Sequence, residues 1–314
     1  MKVVLSGSIA FDYLMSFPGK FSDHFMPDKL DRISVSFLVD SLKKQKGGCA
    51  ANIAYSLALL EESPLLLGAV GEDFSEYRGQ LEEAGVNTAG AVEFSKTYTA
   101  SFFANTDQSG NQISSFYTGA MQYAKALSVR EWVSDPKESL VVVSPNDPEA
   151  MKKHTLECQD LGVPYIYDPS QQIVRLEGKT LKECADGAKI LIFNEYELEL
   201  FKKKTGLNEK DLLGLAETVI VTLGDQGSVI YTDKEKVEVP VARPDQINDP
   251  TGVGDAFRAG LIKGLILGLP WEDTGRIASM AAAYVLETDG PQNHHYSWEQ
   301  FKERYHSVFS DYHL

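Results

Sequence analysis

Six short aliphatic or β-branched runs punctuate the chain, at residues 3–5, 65–67, 140–143, 165–167, 190–193 and 219–221. Runs of that length without polar alternation read as strands buried on both faces. Between most of them lie stretches of helical spacing, among them 52–60, 149–161 and 195–204. A strand that returns parallel to its neighbour needs a long crossover, which a helix supplies. The chain therefore reads as α/β: a doubly wound, mainly parallel sheet with helices on both faces.

Two segments break that rhythm. Residues 13–46 are mixed, with SVSFLV reading as a strand, and residues 97–117, TYTASFFANTDQSGNQISSFY, alternate and turn at 107–111 as a hairpin does. Together they predict a small β-sheet outside the main layer, a lid of about 13–46 and 96–120 able to close over a site; an edge hairpin of the main sheet is the alternative. With no repeat, low-complexity tract or linker, the lid is expected as an insertion in one domain spanning 1–314.

The chain carries 45 acidic and 30 basic residues, a formal net charge of −15. A polyanion needs a basic surface, so nucleic acid is not an expected partner. A small phosphorylated ligand stays open, because helix N-termini bind phosphate through backbone N–H groups. The opening MKVVLSGSIAFDY is too short an apolar run for a signal or a membrane span. Cys49, Cys158 and Cys184 show no CxxC spacing, so neither a disulfide framework nor a structural zinc site is expected, and a cytoplasmic setting fits. His294 and His295, among polar residues, read as solvated surface.

The most informative string is NDPTGVGDAFRAGLIKGLILG, residues 248–268. Val253, Ala256, Phe257, Gly260, Leu261, Gly264 and Leu265 recur at helical spacing, and Gly252 and Gly254 stand at the start. A helix opening on such a turn directs N–H groups and the positive end of its dipole at one point, which suits a phosphate. Asp255 in the first turn has an ordinary explanation as a partner of the helix dipole. An anion hole beside a carboxylate is also what moving a phosphoryl group onto a hydroxyl requires.

The string DPTGVGDAFRAG resembles the second signature of the PfkB, or ribokinase-like, carbohydrate kinases. That resemblance implies Asp255 as general base, with the amides of Gly252, Val253 and Gly254 stabilising the transferring phosphoryl group. There is no GxxxxGK[ST] P-loop. Asn194 and Glu197 match the family's NxxE element, implied to order Mg²⁺ and its waters, although they equally form a helix capping box. Thr222, Gly224 and Gly227 match its T-x-G turn for ATP phosphates, or form a simple hairpin turn.

GSIAFD, residues 7–12, resembles the family's opening G-x-x-x-x-D, and Asp12 at a strand's C-terminal end would accept from two sugar hydroxyls; its alternative is a cap. KGGCAANIAYSLALL, residues 46–60, resembles the first signature, where Gly47, Gly48 and Asn52 would form the ribose floor, while Cys49 reads as a packed small residue. Within the family the similarity is greatest to bacterial adenosine kinases, through SFYTGAM, NDPEAM and DPSQQIVRL as well. It implies Ser8, Asp12, Ser36, Gly48 and Asn52 around the ribose. Phe102 and Phe116 of the lid, with Gln171, Gln172 and Arg175, would lie around purine and phosphates, although the two rings could equally be the lid's own core. The implied reaction takes ATP and adenosine to ADP and AMP. Mg²⁺ is implied with the phosphates, K⁺ near Asp249 and Gly290; a homodimer through the lid and no membrane association complete the expectations. A ribokinase or other sugar kinase is the alternative enzyme. A catalytically silent nucleoside-binding regulator could lose Asp255 or an anion-hole glycine, and all are present; a dinucleotide dehydrogenase would need GxGxxG after the first strand.

Overall fold

The computed structural model describes residues 1–25, 32 and 34–309. Its strands are β1 (Lys2–Ser6), β2 (Ala10–Ser16), β3 (Ser41–Gly47), β4 (Leu65–Val70), β5 (Ala91–Glu93), β6 (Ala100–Thr106), β7 (Gln112–Tyr117), β8 (Ser139–Val143), β9 (Tyr165–Tyr167), β10 (Ala188–Asn194), β11 (Ala216–Thr222), β12 (Ser228–Thr232) and β13 (Lys236–Val239). The α-helices are α1 (Cys49–Leu59), α2 (Ser75–Glu83), α3 (Pro148–Leu161), α4 (Gly178–Ala185), α5 (Glu195–Thr205), α6 (Glu209–Leu212), α7 (Val253–Leu267), α8 (Trp271–Leu286) and α9 (Trp298–Val308). All six apolar runs are strands of one nine-stranded sheet, ordered β13-β12-β11-β10-β9-β8-β1-β4-β5. It is parallel from β11 to β5, and β12 and β13 turn back antiparallel.

Pleating splits each strand between two cores. Val3 and Leu5 of β1 pack with α1, α2 and α7, whereas Val4 packs with α3, α4 and α5. The chain leaves β1 toward β4 and β5, then returns to β8 on its other side. That reversal opens a crevice beyond the C-terminal ends of β1 and β8, where open α/β sheets take their ligands.

The separate small sheet is present, with order β3-β2-β6-β7. It is mixed, since β2 runs parallel to β6 while β3 and β7 are antiparallel to their neighbours. The hairpin pairs Thr106 with Gln112 across Asp107, whose carboxylate accepts from the backbone N–H groups of Ser109 and Asn111. One strand reading is corrected. SVSFLV is irregular over its described residues, and the strand there is the more polar SLKKQKG of β3. Phe37 instead closes a ring cluster with Phe17 and Phe21, at centroid distances of 5.0 and 4.8 Å. No helix among the described residues is long and apolar enough to cross a membrane.

Close packing of α7 against α8 fixes where the cleft's helix begins. A Cβ on Gly260 would lie 2.6 Å from both the Ala278 Cα and the Ile277 carbonyl oxygen. Gly260→Ala gains about 1 kcal/mol of helix propensity but forces α8 outward at about 1–3 kcal/mol. The clash with backbone should win, and a net loss of stability is expected in urea unfolding.

Candidate active site

Helix α7 starts at Gly252, whose φ of 82° is one that L side chains rarely adopt, so the turn needs glycine there. Its first amides have no carbonyl from a preceding turn, as at any helix start; the Val253 N–H leans back to the Pro250 oxygen at 3.3 Å. Asp255 sits in this first turn. Asn52 of α1 donates to its Oδ2 at 2.8 Å. Asn52 can present its amide that way because its own carbonyl oxygen accepts from Gln292 Nε2 at 2.8 Å. Gln292 also bonds the Tyr77 hydroxyl, which donates to the Gly47 carbonyl oxygen at 3.0 Å. Asn52 thus has its amide engaged with Asp255 and its carbonyl oxygen with Gln292.

Burial pushes the Asp255 carboxyl up to about 6; the Arg258 guanidinium and the Asn52 amide pull against that, and Asp12 adds to the rise. Asp12 is raised to about 6 as well, first by burial and then by Asp249. Both stay mostly ionised at neutral pH while remaining able to take a proton.

A single cleft joins the phosphate-side elements. Asn194, Glu197, Thr222, Gly252, Gly254 and Asp255 all line it. The capping box is real: Glu197 N–H donates to Asn194 Oδ1 at 2.8 Å, and Asn194 N–H donates to Glu197 Oε2 at 2.9 Å. The remaining carboxylate oxygen of Glu197 accepts from Ser170 Oγ at 3.0 Å. Gly224 and Gly227 form the tight connection between β11 and β12, so the hairpin-turn reading describes their local geometry.

On the substrate side the register of the small sheet matters most. Gln45, Asp12, Phe102 and Phe116 are successive cross-strand partners, so their side chains form one row on one face. Asp12 therefore belongs to β2 of the small sheet, a correction to its reading as the end of a main-sheet strand. Gly47 leaves room for it, since a Cβ there would approach Asp12 Oδ2 to 2.5 Å. Phe116 is 50 % exposed, which removes it from any core of the small sheet. Gly48 precedes α1 against the Ser8 carbonyl, and the Ser8 hydroxyl accepts from Cys49 N–H at 3.0 Å. Gln171 reaches the Cys49 sulfur at 3.7 Å, at the edge of the cleft, and Gln172 is buried. Burial raises the Cys49 thiol, as befits a packed residue.

Other residues stand apart. Arg175 is exposed and borders a different hollow, with Gln122, Lys125 and Glu149. Ser36 is exposed, and no hydrogen bond links it to Asp12 or Asn52 among the described residues. Asp249 accepts from Thr251 N–H at 2.8 Å and Gly290 N–H at 3.0 Å. His294 is not surface: it is 1 % exposed, packed against Tyr55 and Tyr296, and burial lowers it to about 3. Sequence reasoning missed Asp168, Ser170, Arg258 and Gln292. The first three are polar positions within DPSQQIVRL and DPTGVGDAFRAG, and Gln292 carries no local signal.

The sequence pattern of pfkB family carbohydrate kinases matches residues 22–298. A nucleoside kinase of Methanocaldococcus jannaschii is 29% identical over 305 residues, covering 96% of each chain. One from Methanothermobacter thermautotrophicus is 31% identical over 91% of this chain and 89% of its own. The solved structure of a Burkholderia thailandensis nucleoside kinase in complex with inosine superposes with a TM-score of 0.87, at 33% identity and 98% coverage of both chains. A matching pattern across most of the sequence, with an Asp255 turn and a fold to accompany it, establishes that the chain belongs to the pfkB family of carbohydrate kinases and is an ATP-dependent phosphotransferase.

Proposed function

We propose that this chain is a nucleoside kinase that phosphorylates the 5′-hydroxyl of adenosine. The observation that carries the reading is the row Asp12–Phe102–Phe116. It sets a hydroxyl-accepting carboxylate beside two apolar ring faces, the chemistry of a ribose joined to a flat base. A bare sugar has no use for the two rings. The relatives' naming as nucleoside kinases, one of them with inosine bound, supports the same class. We read the small sheet as a lid that brings the row down onto the base when substrate is present.

In the reaction the bond between the γ-phosphorus and the β–γ bridging oxygen breaks, and one forms from the 5′-oxygen to that phosphorus. The hydroxyl proton passes to Asp255, and ADP leaves. The amides of Gly252 and Gly254, with that of Val253 once it leaves the Pro250 oxygen, would face the phosphoryl oxygens. No group of three or more His, Cys, Asp or Glu side chains able to hold a metal occurs among the described residues. Mg²⁺ would arrive on the phosphates, with Glu197 reaching it through water, and would neutralise phosphate charge. A monovalent cation such as K⁺ would take the Asp249 and Gly290 corner. A sugar kinase is the second reading, favoured only by Asp12, which would serve a free sugar equally.

Asp255→Asn should lower kcat by about 10²–10⁴-fold with KM little changed. The ionised base is the working form, so wild-type activity should fall as pH drops below about 6. A carboxyl raised in the fold contributes stability at low pH that is lost as pH rises through about 6. The Asn variant should therefore also melt higher at neutral pH, by on the order of 1 kcal/mol. Full activity at pH 5 in wild type would remove Asp255 from the mechanism.

Phe116→Ala and Phe102→Ala should each cost adenosine about 0.5–1.5 kcal/mol beyond lost area, a several-fold rise in KM, and leave any ribose phosphorylation unchanged. Coupled ADP release with adenosine, inosine, cytidine, ribose and fructose reads both. Ribose outperforming every nucleoside in wild type would move the chain to the sugar kinases.

A further inference from the structure

Arg258 lies one turn beyond Asp255 on α7, buried at 7 % exposure. Asp168, at the end of β9 and 1 % exposed, holds one edge of the guanidinium: Nη2 donates to Oδ1 at 2.7 Å, and Nε lies against Oδ2. The third nitrogen, Nη1, points elsewhere. It lies beneath Gly254, where a Cβ would come within 2.8 Å of it, and the side chain lines the same cleft as Asp255 and Glu197. An arginine spent only on a buried ion pair has no need of a glycine above its far nitrogen.

From this geometry we infer that Arg258 is a further catalytic residue: its Nη1 edge completes the anion hole from below and stabilises charge on the transferring phosphoryl group, while Asp168 holds the fork in place. The inference rests on the reading of the α7 turn as the phosphoryl site. Backbone amides alone supply only partial charge, whereas a γ-phosphoryl in transit spreads a full negative charge over its oxygens. Asp168 pins the guanidinium plane, so no reorganisation accompanies the transfer. Arg258 stays protonated throughout, raised by Asp168, and no bond forms or breaks at it.

Lysine separates this role from a structural one. Arg258→Lys keeps a cation against Asp168 but has no second nitrogen to turn upward. It should fold with a melting temperature close to wild type and lose about 10²–10³-fold in kcat, the effect of removing one oxyanion donor, with nucleoside KM unchanged. A binding measurement reads the same edge without turnover: titration of ADP alone against ADP with aluminium fluoride, in the presence of magnesium and whichever of adenosine or inosine wild type phosphorylates. Wild type should prefer the fluoride complex strongly, and Arg258→Lys should lose that preference while binding ADP normally. Should the lysine variant fail to fold, Arg258→Gln carries the same comparison. A variant that retains the preference, or that weakens ADP and its fluoride complex equally, overturns the role of Arg258. If wild type itself shows no preference, the reading of the α7 turn fails instead.

Discussion

The 2.8 Å bond from Asn52 to Asp255 ties α1 to α7 across the crevice, and the cleft's arrangement depends on it. It joins two helices near their starts, one following Gly48 and the other following Gly252. Once they meet there, their first turns converge on the space beyond β1 and β8. A carboxylate placed in that space loses much of its water and can remain ionised only if donors and a cation stand close. Asn52 and Arg258 are those neighbours, and each is fixed by a second partner: Gln292 for Asn52, Asp168 for Arg258. The Asp255 carboxylate is therefore held from two sides by residues that do not themselves accept a proton from it.

Much of the fold was legible because its signals are local. Buried parallel strands announce themselves as unbroken apolar runs, and the α7 helix announces itself by spacing and by the glycines before it. The lid hairpin was legible for the same reason, its turn carried by Asp107 within five residues. The strand misassigned to SVSFLV shows where that logic ends. β3 is chosen by the need to pair Asp12 with Gln45 and Ala10 with Gly47. Phe37 is taken by the Phe17–Phe21 cluster. Tertiary pairing outranked local β-propensity, as it does in half-exposed sheets.

The site was legible where one motif carries a whole device and opaque where two distant segments share one. Gly252, Gly254 and Asp255 are neighbours in sequence, so their chemistry can be read off a string. Gln292 reaches the site through Asn52, 240 positions away, and no spacing rule connects the two. Arg258 was visible as a letter in DAFRAG, but a helix-face arginine ordinarily reads as solvated. Only its bidentate hold on Asp168, 90 positions earlier, reveals it as buried. His294 misled in the opposite direction, since a polar neighbourhood in sequence says little once Tyr55 and Tyr296 close over the ring.

The acidity of the chain and the chemistry of its cleft are consistent with each other. The chain carries a formal net charge of −15. What the phosphates would meet is a helix start with its glycine amides and one buried guanidinium, and these act at short range in a region partly shielded from solvent. Fixed donors of this kind need no basic surface to collect them. They also place a limit on the cleft: with Asp168, Glu197 and Asp255 near Arg258, a fully charged nucleotide would be poorly balanced by the protein alone. Cations travelling with the phosphates would restore that balance, so phosphate and cation would be bound most favourably together.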